Sequence, residues 1–225
     1  MRSNPPETPA WFVGLDLGQA HDYTALVAVE RTGPRGHRCY EAKAVERLPL
    51  GLRYPLVVAE VRPLLDHLQR FVPRPAVTLV LDYTGVGRAV CDLFVAADLG
   101  VPLCPITITG GDTITPDGDG WRVPKRELAS IVQVLLQTSR LRFASALPLV
   151  ATLTEELLNF RVRLAASGHD SYGAGQEWRE RNHDDLVLAL SMAVWRGEQE
   201  SDRRAVAASY LAAPEAEDYV PFGSW

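Results

Sequence analysis

Four aspartates lie at the ends of apolar segments. Asp16 ends the segment VGLD, Asp82 ends LVLD, and Asp184 and Asp185 precede LVLAL. Open α/β sheets place ligands at the carboxyl ends of their strands, so these side chains are expected to converge at one edge of a sheet. Carboxylates on three separate elements supply the anionic oxygen ligands that a hard divalent cation requires. The pattern predicts a metal site at Asp16, Asp82 and the Asp184/Asp185 pair.

Each aspartate also has a simpler interpretation, as a turn former after a strand or as a helix cap. Strand alternation places Asp16 on the same face as Gly14 and Gly18, which we expect to leave open space for a metal or phosphate. On a helical wheel, Asp185 points nearer to the apolar stripe of its helix than Asp184 does. We therefore predict that Asp185 is the better ligand and that Asp184 is a cap or an outer residue.

Several basic residues and one histidine could assist such a site. Lys125 follows a polar loop and could contact a phosphate, although a solvent-exposed lysine at a helix start is the alternative. His183 lies beside the aspartate pair and could transfer a proton or simply pack at the start of the helix. Arginines in and near two polar segments, at 110–124 and 167–180, are candidates for DNA binding, because guanidinium groups pair well with phosphate. They are Arg122, Arg126, Arg161, Arg163 and Arg179.

The elements that must position these residues alternate between two periodicities. Three apolar or β-branched segments with short turns, at 11–17, 23–29 and 37–47, predict an antiparallel meander. A helical segment near 56–68, a strand at 76–81, a helix at 86–97 and a strand at 102–107 follow, which implies parallel crossovers. Further helices are predicted over 128–135, 147–160 and 183–196. The pattern indicates a mixed α/β sheet with helices on its faces.

Length and composition limit the classes of protein that fit. The chain has 225 residues, 47% of them hydrophobic, which favours one α/β domain and excludes wholesale disorder. No segment approaches the roughly 18 apolar residues of a membrane span, and residues 1–9 lack the apolar core of a signal sequence. The three cysteines have neither disulfide-scaffold nor zinc-finger spacing. We expect a cytoplasmic protein that has no membrane partner.

The motifs together resemble a known family. The sequence is similar to the C-terminal nuclease domain of the large terminase subunit of tailed bacteriophages, which has an RNase H-like fold, from about residue 11 to residue 195. The motifs are Asp16 with DYT at 22–24, LDYTGVG at 81–87, VPKR at 123–126, ELLNF at 156–160 and HDDLVLAL at 183–190. The resemblance implies an endonuclease that cuts double-stranded phage DNA with two Mg²⁺ or Mn²⁺ ions. Asp16, Asp82, Asp184 and Asp185 would be the metal ligands.

This resemblance also implies a domain organisation and partners. We expect a disordered arm at 1–10, an RNase H-like nuclease domain at 11–197 and an acidic tail at 198–225. The partners would be a packaging ATPase, the small terminase subunit or the portal, in the cytoplasm of an infected or lysogenic bacterial host. No GxxxxGK[ST] motif occurs in the chain, so the ATP motor of a whole terminase is absent from it.

Three further hypotheses stay open at this point. A non-catalytic module that docks on DNA or on a packaging protein is one, although the intact aspartates at all three positions disfavour it. A Holliday-junction resolvase or a transposase would have the same fold and the same type of site. Residues 14–18 (GLDLG) also resemble the first phosphate loop of actin-like and sugar-kinase-like ATPases, although that fold needs two lobes. The net charge of −5 argues against nucleic-acid binding by bulk electrostatics alone, so a few arginines would have to hold the DNA.

Overall fold

A computed structural model describes residues 9–18, 22–33, 36–71, 76–85, 87–160 and 184–211. Its strands form one mixed sheet in the order β6-β7-β5-β4-β1-β2-β3-β8. The strands are β1 (Ala10–Asp16), β2 (Ala25–Thr32), β3 (Cys39–Arg47), β4 (Val77–Asp82), β5 (Leu103–Thr109), β6 (Thr115–Asp117), β7 (Gly120–Pro124) and β8 (Leu141–Phe143).

The strand directions follow from the lengths of the connections. Short turns join β1, β2 and β3, which therefore pair antiparallel. Longer connections containing helices return the chain to the same edge, so β4 pairs parallel to β1 and β5 to β4. Strand β7 also pairs parallel to β5, but the connection between them contains the short strand β6 instead of a helix. The predicted meander and parallel crossovers are both confirmed. The three-residue strand β8, which pairs parallel to β3, has no sequence pattern long enough to predict it.

Helices cover both faces of the sheet, as the sequence predicts. They are α1 (Tyr54–Phe71), α2 (Gly87–Ala96), α3 (Lys125–Gln137), α4 (Val150–Asn159) and α5 (Asp185–Leu211). Alternate residues of β1 divide between two cores. Phe12 packs with α3, α4 and α5, whereas Val13 and Leu15 pack with α1 and α2.

Helix α5 is the central helix of its face. Residues 185–195 are all buried, including Ser191, because this segment lies across β1, β2 and β4. The predicted helix ends at Arg196, but α5 continues to Leu211. Glu198, the first residue of the predicted acidic tail, instead lies within α5 and accepts hydrogen bonds from Tyr40 Oη at 2.7 Å and Arg140 Nη2 at 2.6 Å.

The far end of the buried part of α5 lies directly against the sheet at a glycine. A Cβ atom on Gly197 would lie 2.5 Å from Cε1 of Tyr40. The Gly197 carbonyl oxygen also accepts a hydrogen bond from Nη1 of the buried Arg31 at 2.9 Å. These contacts fix the helix to β2 and β3.

Candidate active site

Two of the predicted ligands end neighbouring parallel strands. Asp16 is the last residue of β1 and Asp82 is the last residue of β4, and the register pairs Leu15 with Leu81 directly before them. The apolar runs form the buried strands, and each aspartate follows where the strand reaches the sheet edge. The structure therefore brings Asp16 and Asp82 together, as predicted.

Helix α5 brings the other two aspartates to the same edge. Asp185 is its first residue, and the carbonyl of Asp184 accepts the hydrogen bond from Leu188 N at 2.9 Å. The helix lies so close to β1 that a Cβ atom on Gly14 would overlap the carbonyl oxygen of Ala189. The expectation of open space beside Asp16 is therefore wrong. The α5 backbone fills the space at Gly14, and the backbone of Asp22 and Tyr23 fills it at Gly18.

Asp16 lies among the other carboxylates. Its pKa is well above the usual value, first because burial disfavours the charged form and then because Asp82, Asp184 and Asp185 repel a negative charge there. A divalent cation would relieve this repulsion.

Asp82 also shapes its own turn. Its Oδ1 accepts a hydrogen bond from Thr84 N at 2.8 Å, and Thr84 Oγ1 in turn accepts one from Ile108 N at 2.9 Å on β5. A Cβ atom on Gly87 would overlap the carbonyl oxygen of Asp82, so a tight strand-to-helix turn needs glycine there. The turn-former interpretation of Asp82 is thus correct, and it is compatible with a carboxylate at the site.

Lys125 joins the cluster from the start of α3. It directly follows Pro124, the last residue of β7, and its Nζ lies 2.6 Å from Asp184 Oδ2. The ammonium group also lies over the Phe160 ring, 5.3 Å from its centroid. Lys125 does start a helix, but its side chain is partly buried and is a member of the cluster.

Arg47 and Glu156 are members of the site that were not predicted as site residues, although Glu156 begins the ELLNF motif of the family resemblance. Arg47 Nη2 donates hydrogen bonds to Glu156 Oε1 at 2.6 Å and to Asp185 Oδ1 at 2.8 Å. The register explains its position, because Asp16 pairs with Ala25 and Ala25 pairs with Arg47. Paired residues of a sheet project to the same face, and here that face is the one that α5 covers.

Glu156 is buried on α4, and its Oε2 accepts a hydrogen bond from Val187 N at 3.0 Å. Burial raises its pKa to about 7, although the bond from Val187 and the charge of Arg47 oppose that rise. A signal for Glu156 does exist in the sequence, because it lies three residues after the buried Leu153, on the face of α4 that packs inward.

The site fits a hard divalent cation in its donor chemistry. All five acidic side chains offer oxygen, and Oδ2 of the buried Asp185 has no hydrogen-bond partner within the described ranges. Among the described residues, however, no three His, Cys, Asp or Glu side chains already stand close enough together to hold an ion. Lys125 and Arg47 instead occupy one oxygen each of Asp184 and Asp185.

The predicted DNA-binding arginines are only partly described. The Arg122 side chain is 50% exposed on β7, and its Nη1 lies 3.8 Å from Asp117 Oδ2. Arg126 pairs with the Asp112 carboxylate and donates a hydrogen bond to the Asp112 carbonyl at 3.0 Å. Four of the predicted site residues lie outside the described residues, namely Arg161, Arg163, Arg179 and His183.

No protein-family model matches the sequence, and the curated proteins include no significant match. Solved structures do match it. The manganese-soaked human cytomegalovirus terminase nuclease domain has a TM-score of 0.53 and 13% identity over 84% of this chain and 83% of that one. Its inhibitor-bound form has a TM-score of 0.53 and 12% identity over 86% of each chain. The P22 large terminase nuclease domain has a TM-score of 0.49 and 11% identity over 86% of this chain and 84% of that one.

The two cytomegalovirus comparisons establish the fold, because their similarity covers most of both chains. The predicted RNase H-like fold, a mixed sheet with an antiparallel meander and helices on both faces, is confirmed. No helix in the described part of the chain combines the length and the apolar character needed to cross a bilayer.

Proposed function

We propose that this protein is a divalent-metal-dependent endonuclease that cleaves double-stranded DNA by a two-metal mechanism. The observation that carries the proposal is the convergence of Asp16, Asp82, Asp184 and Asp185 at one sheet edge. The charges of the other three aspartates help to raise the pKa of Asp16 there. The fold shared with a terminase nuclease domain, whose structure was obtained after a manganese soak, supports it.

Asp16, Asp82 and Asp185 would hold the ions, with Asp184 beside them. Two bound Mg²⁺ or Mn²⁺ ions supply an activated water and stabilisation of the leaving 3′ oxygen. The residues of the chain hold these carboxylates on rigid strands and on a buried helix. Lys125, 2.6 Å from Asp184, is a positive group at the same edge that a phosphodiester would approach.

The DNA contacts would come from few residues. Of the two predicted DNA-binding arginines that the structure describes, Arg122 is the more exposed and the more weakly paired, because Arg126 is in close contact with the Asp112 carboxylate. Non-specific binding through a few phosphate contacts has a Kd of about 10⁻⁴ to 10⁻⁶ M at physiological salt and weakens steeply as salt rises. Titration of labelled duplex DNA in Ca²⁺ at two salt concentrations tests this, and tight binding that does not depend on salt would contradict it.

The biological role that we propose is cleavage of phage DNA during packaging, in the cytoplasm of a bacterial host. A packaging ATPase, the small terminase subunit or the portal would then bring the DNA to this domain. The ATPase hypothesis is weaker, because the described residues form a single sheet and an actin-like or sugar-kinase-like fold needs two lobes.

Cleavage of supercoiled plasmid is the direct test of the nuclease. We expect nicked and linear products with Mg²⁺ or Mn²⁺, no products in EDTA, and no ATP hydrolysis. Asp16→Asn and Asp82→Asn should each abolish cleavage without unfolding the protein, because neither side chain is part of a hydrophobic core. Full cleavage by either folded variant would refute the assignment of the site.

A further inference from the structure

Arg47 is held in one orientation by three groups. Its side chain is only 15% exposed and donates to two carboxylates through one nitrogen atom, Nη2. Its guanidinium also lies over the Tyr23 ring, 4.9 Å from the centroid. An arginine fixed at this many points has lost its rotamer freedom, so its partner carboxylates are fixed with it.

Glu156 connects this arginine to the start of α5. The first backbone N–H groups of a helix need acceptors from outside the helix, and the side chain of the residue before the helix usually supplies one. Here the Asp184 carboxylate contacts Lys125, and the bond from Val187 N goes to Glu156 Oε2 at 3.0 Å instead. Glu156 therefore leaves Asp184 available to the site.

The two oxygens of Asp185 are unequal as a result. Oδ1 accepts the 2.8 Å bond from Arg47, whereas the buried Oδ2 has no hydrogen-bond partner within the described ranges. We propose that Arg47 and Glu156 are positioning residues that hold Asp185 so that it offers a single oxygen, Oδ2, to a divalent cation. This inference rests on the proposed function, because it assumes that Asp185 is a metal ligand.

Three possible roles of Arg47 predict different metal affinities when the residue is replaced. A positioning role predicts weaker Mn²⁺ binding, and loss of such supporting groups typically costs roughly 10–100-fold in metal affinity. A purely electrostatic role predicts tighter binding, because Arg47→Met removes a positive charge beside the ligands. A purely structural role predicts a lower Tm with unchanged affinity.

The experiment measures Mn²⁺ binding without DNA, by isothermal titration and by the electron paramagnetic resonance signal of free Mn²⁺. Arg47→Met and Glu156→Gln should each raise the Kd for Mn²⁺ about tenfold or more. Glutamine cannot accept from both Arg47 and Val187, because one end of its amide is a donor. The controls are Arg53→Met and Glu155→Gln, both at exposed positions, which should change the Kd less than twofold.

Arg47→Lys separates geometry from charge. Lysine keeps the charge, but its side chain is shorter and lacks the planar guanidinium that lies over the Tyr23 ring, so we expect it to weaken Mn²⁺ binding as well. Normal affinity in folded Arg47→Lys, or unchanged or tighter binding in folded Arg47→Met, would overturn the positioning role. If Arg47→Met does not fold, Arg47→Lys decides the question, because it keeps the charge.

Asp185→Asn and Asp16→Asn separate a failure of the positioning role from a failure of the metal site. If both remove Mn²⁺ binding while Arg47 and Glu156 variants bind normally, only the positioning role fails. If neither affects Mn²⁺ binding, the metal site of the proposed function fails, and the positioning role fails with it.

Discussion

Asp16 and Arg47 lie in one row of the sheet, two strands apart, with Ala25 between them. Their 31 residues of separation in the sequence are two antiparallel turns and two strands, which return the chain to the same edge. One end of the meander thus supplies both a candidate ligand and the cation that holds another ligand, Asp185. This arrangement makes the three-strand meander part of the site as well as its support.

The first prediction ranks the two adjacent aspartates. Asp184 Oδ2 is bound by Lys125, whereas Asp185 is buried and keeps one oxygen without a hydrogen-bond partner in the described structure. Asp185→Ala should therefore lower the single-turnover cleavage rate at saturating Mn²⁺ at least about tenfold more than Asp184→Ala. The opposite order would transfer the principal ligand role to Asp184.

The second prediction concerns Lys125. Lys125→Ala should lower the cleavage rate by about tenfold or more, because it removes a positive group that a phosphodiester would approach. Mn²⁺ binding should not weaken, because the lost ammonium group competes with the metal for Asp184. The other lysine of the chain, Lys43, provides a matched control. It lies on β3 and pairs with Glu30 and Glu41, so Lys43→Ala should cleave normally. A loss of Mn²⁺ affinity in Lys125→Ala would assign it a role in building the metal site instead.

The third prediction uses the raised pKa of Asp16. A carboxyl group whose pKa is higher in the folded state contributes stability below its ordinary value near 3.8 and loses that contribution as pH rises above it. In EDTA, Asp16→Asn should therefore lose less stability than the wild type between pH 4 and 8. At pH 8 its Tm should be higher than that of the wild type.

Thermal unfolding across this pH range checks the sign. Addition of Mn²⁺ should raise the Tm of the wild type, because a ligand that binds only the folded state stabilises it, and should not raise that of Asp16→Asn. If the Tm of the two proteins depended on pH in the same way, burial and the neighbouring carboxylates would not destabilise the charged form of Asp16.

The fourth prediction tests the contact between β1 and α5. Gly14→Ala would drive a methyl group into the Ala189 carbonyl, so α5 must shift, at a cost of about 1–3 kcal/mol. Both Tm and Mn²⁺ affinity should fall. Gly111→Ala is the control, because the space around that exposed glycine is open, and its Tm should equal that of the wild type.

The strands and most helices could be predicted because burial imposes a period on the sequence. Asp16 and Asp82 follow apolar runs that have no alternative to a buried strand, so their meeting at one edge follows from topology alone. Local patterns do not contain the distance between β3, α4 and the start of α5, which is why the Arg47–Glu156 contact was not predicted. Its signs were indirect, since both residues continue the buried face of their own element, Arg47 after Val45 and Glu156 after Leu153.

Gly14 is a position whose surroundings the sequence could not predict. A glycine beside a carboxylate has the same appearance in the sequence whether a ligand, solvent or another backbone lies next to it. Only the packing of α5 decides among these, and here the Ala189 carbonyl occupies the space.

The contact of Gly197 with Tyr40 holds α5 at one end of the meander, and the candidate ligands lie at the other end. Twelve residues at 1.5 Å each separate Asp185 from Gly197 by about 18 Å along the axis. The helix backbone packs closely against Gly14 of β1 and, at Gly197, against the Tyr40 side chain, and these two contacts oppose sliding and rotation of the helix. A side chain added at Gly197 would therefore move the candidate ligands at the opposite edge. If the proposed nuclease activity is correct, variants with slow cleavage are to be sought along the whole helix as well as among the aspartates.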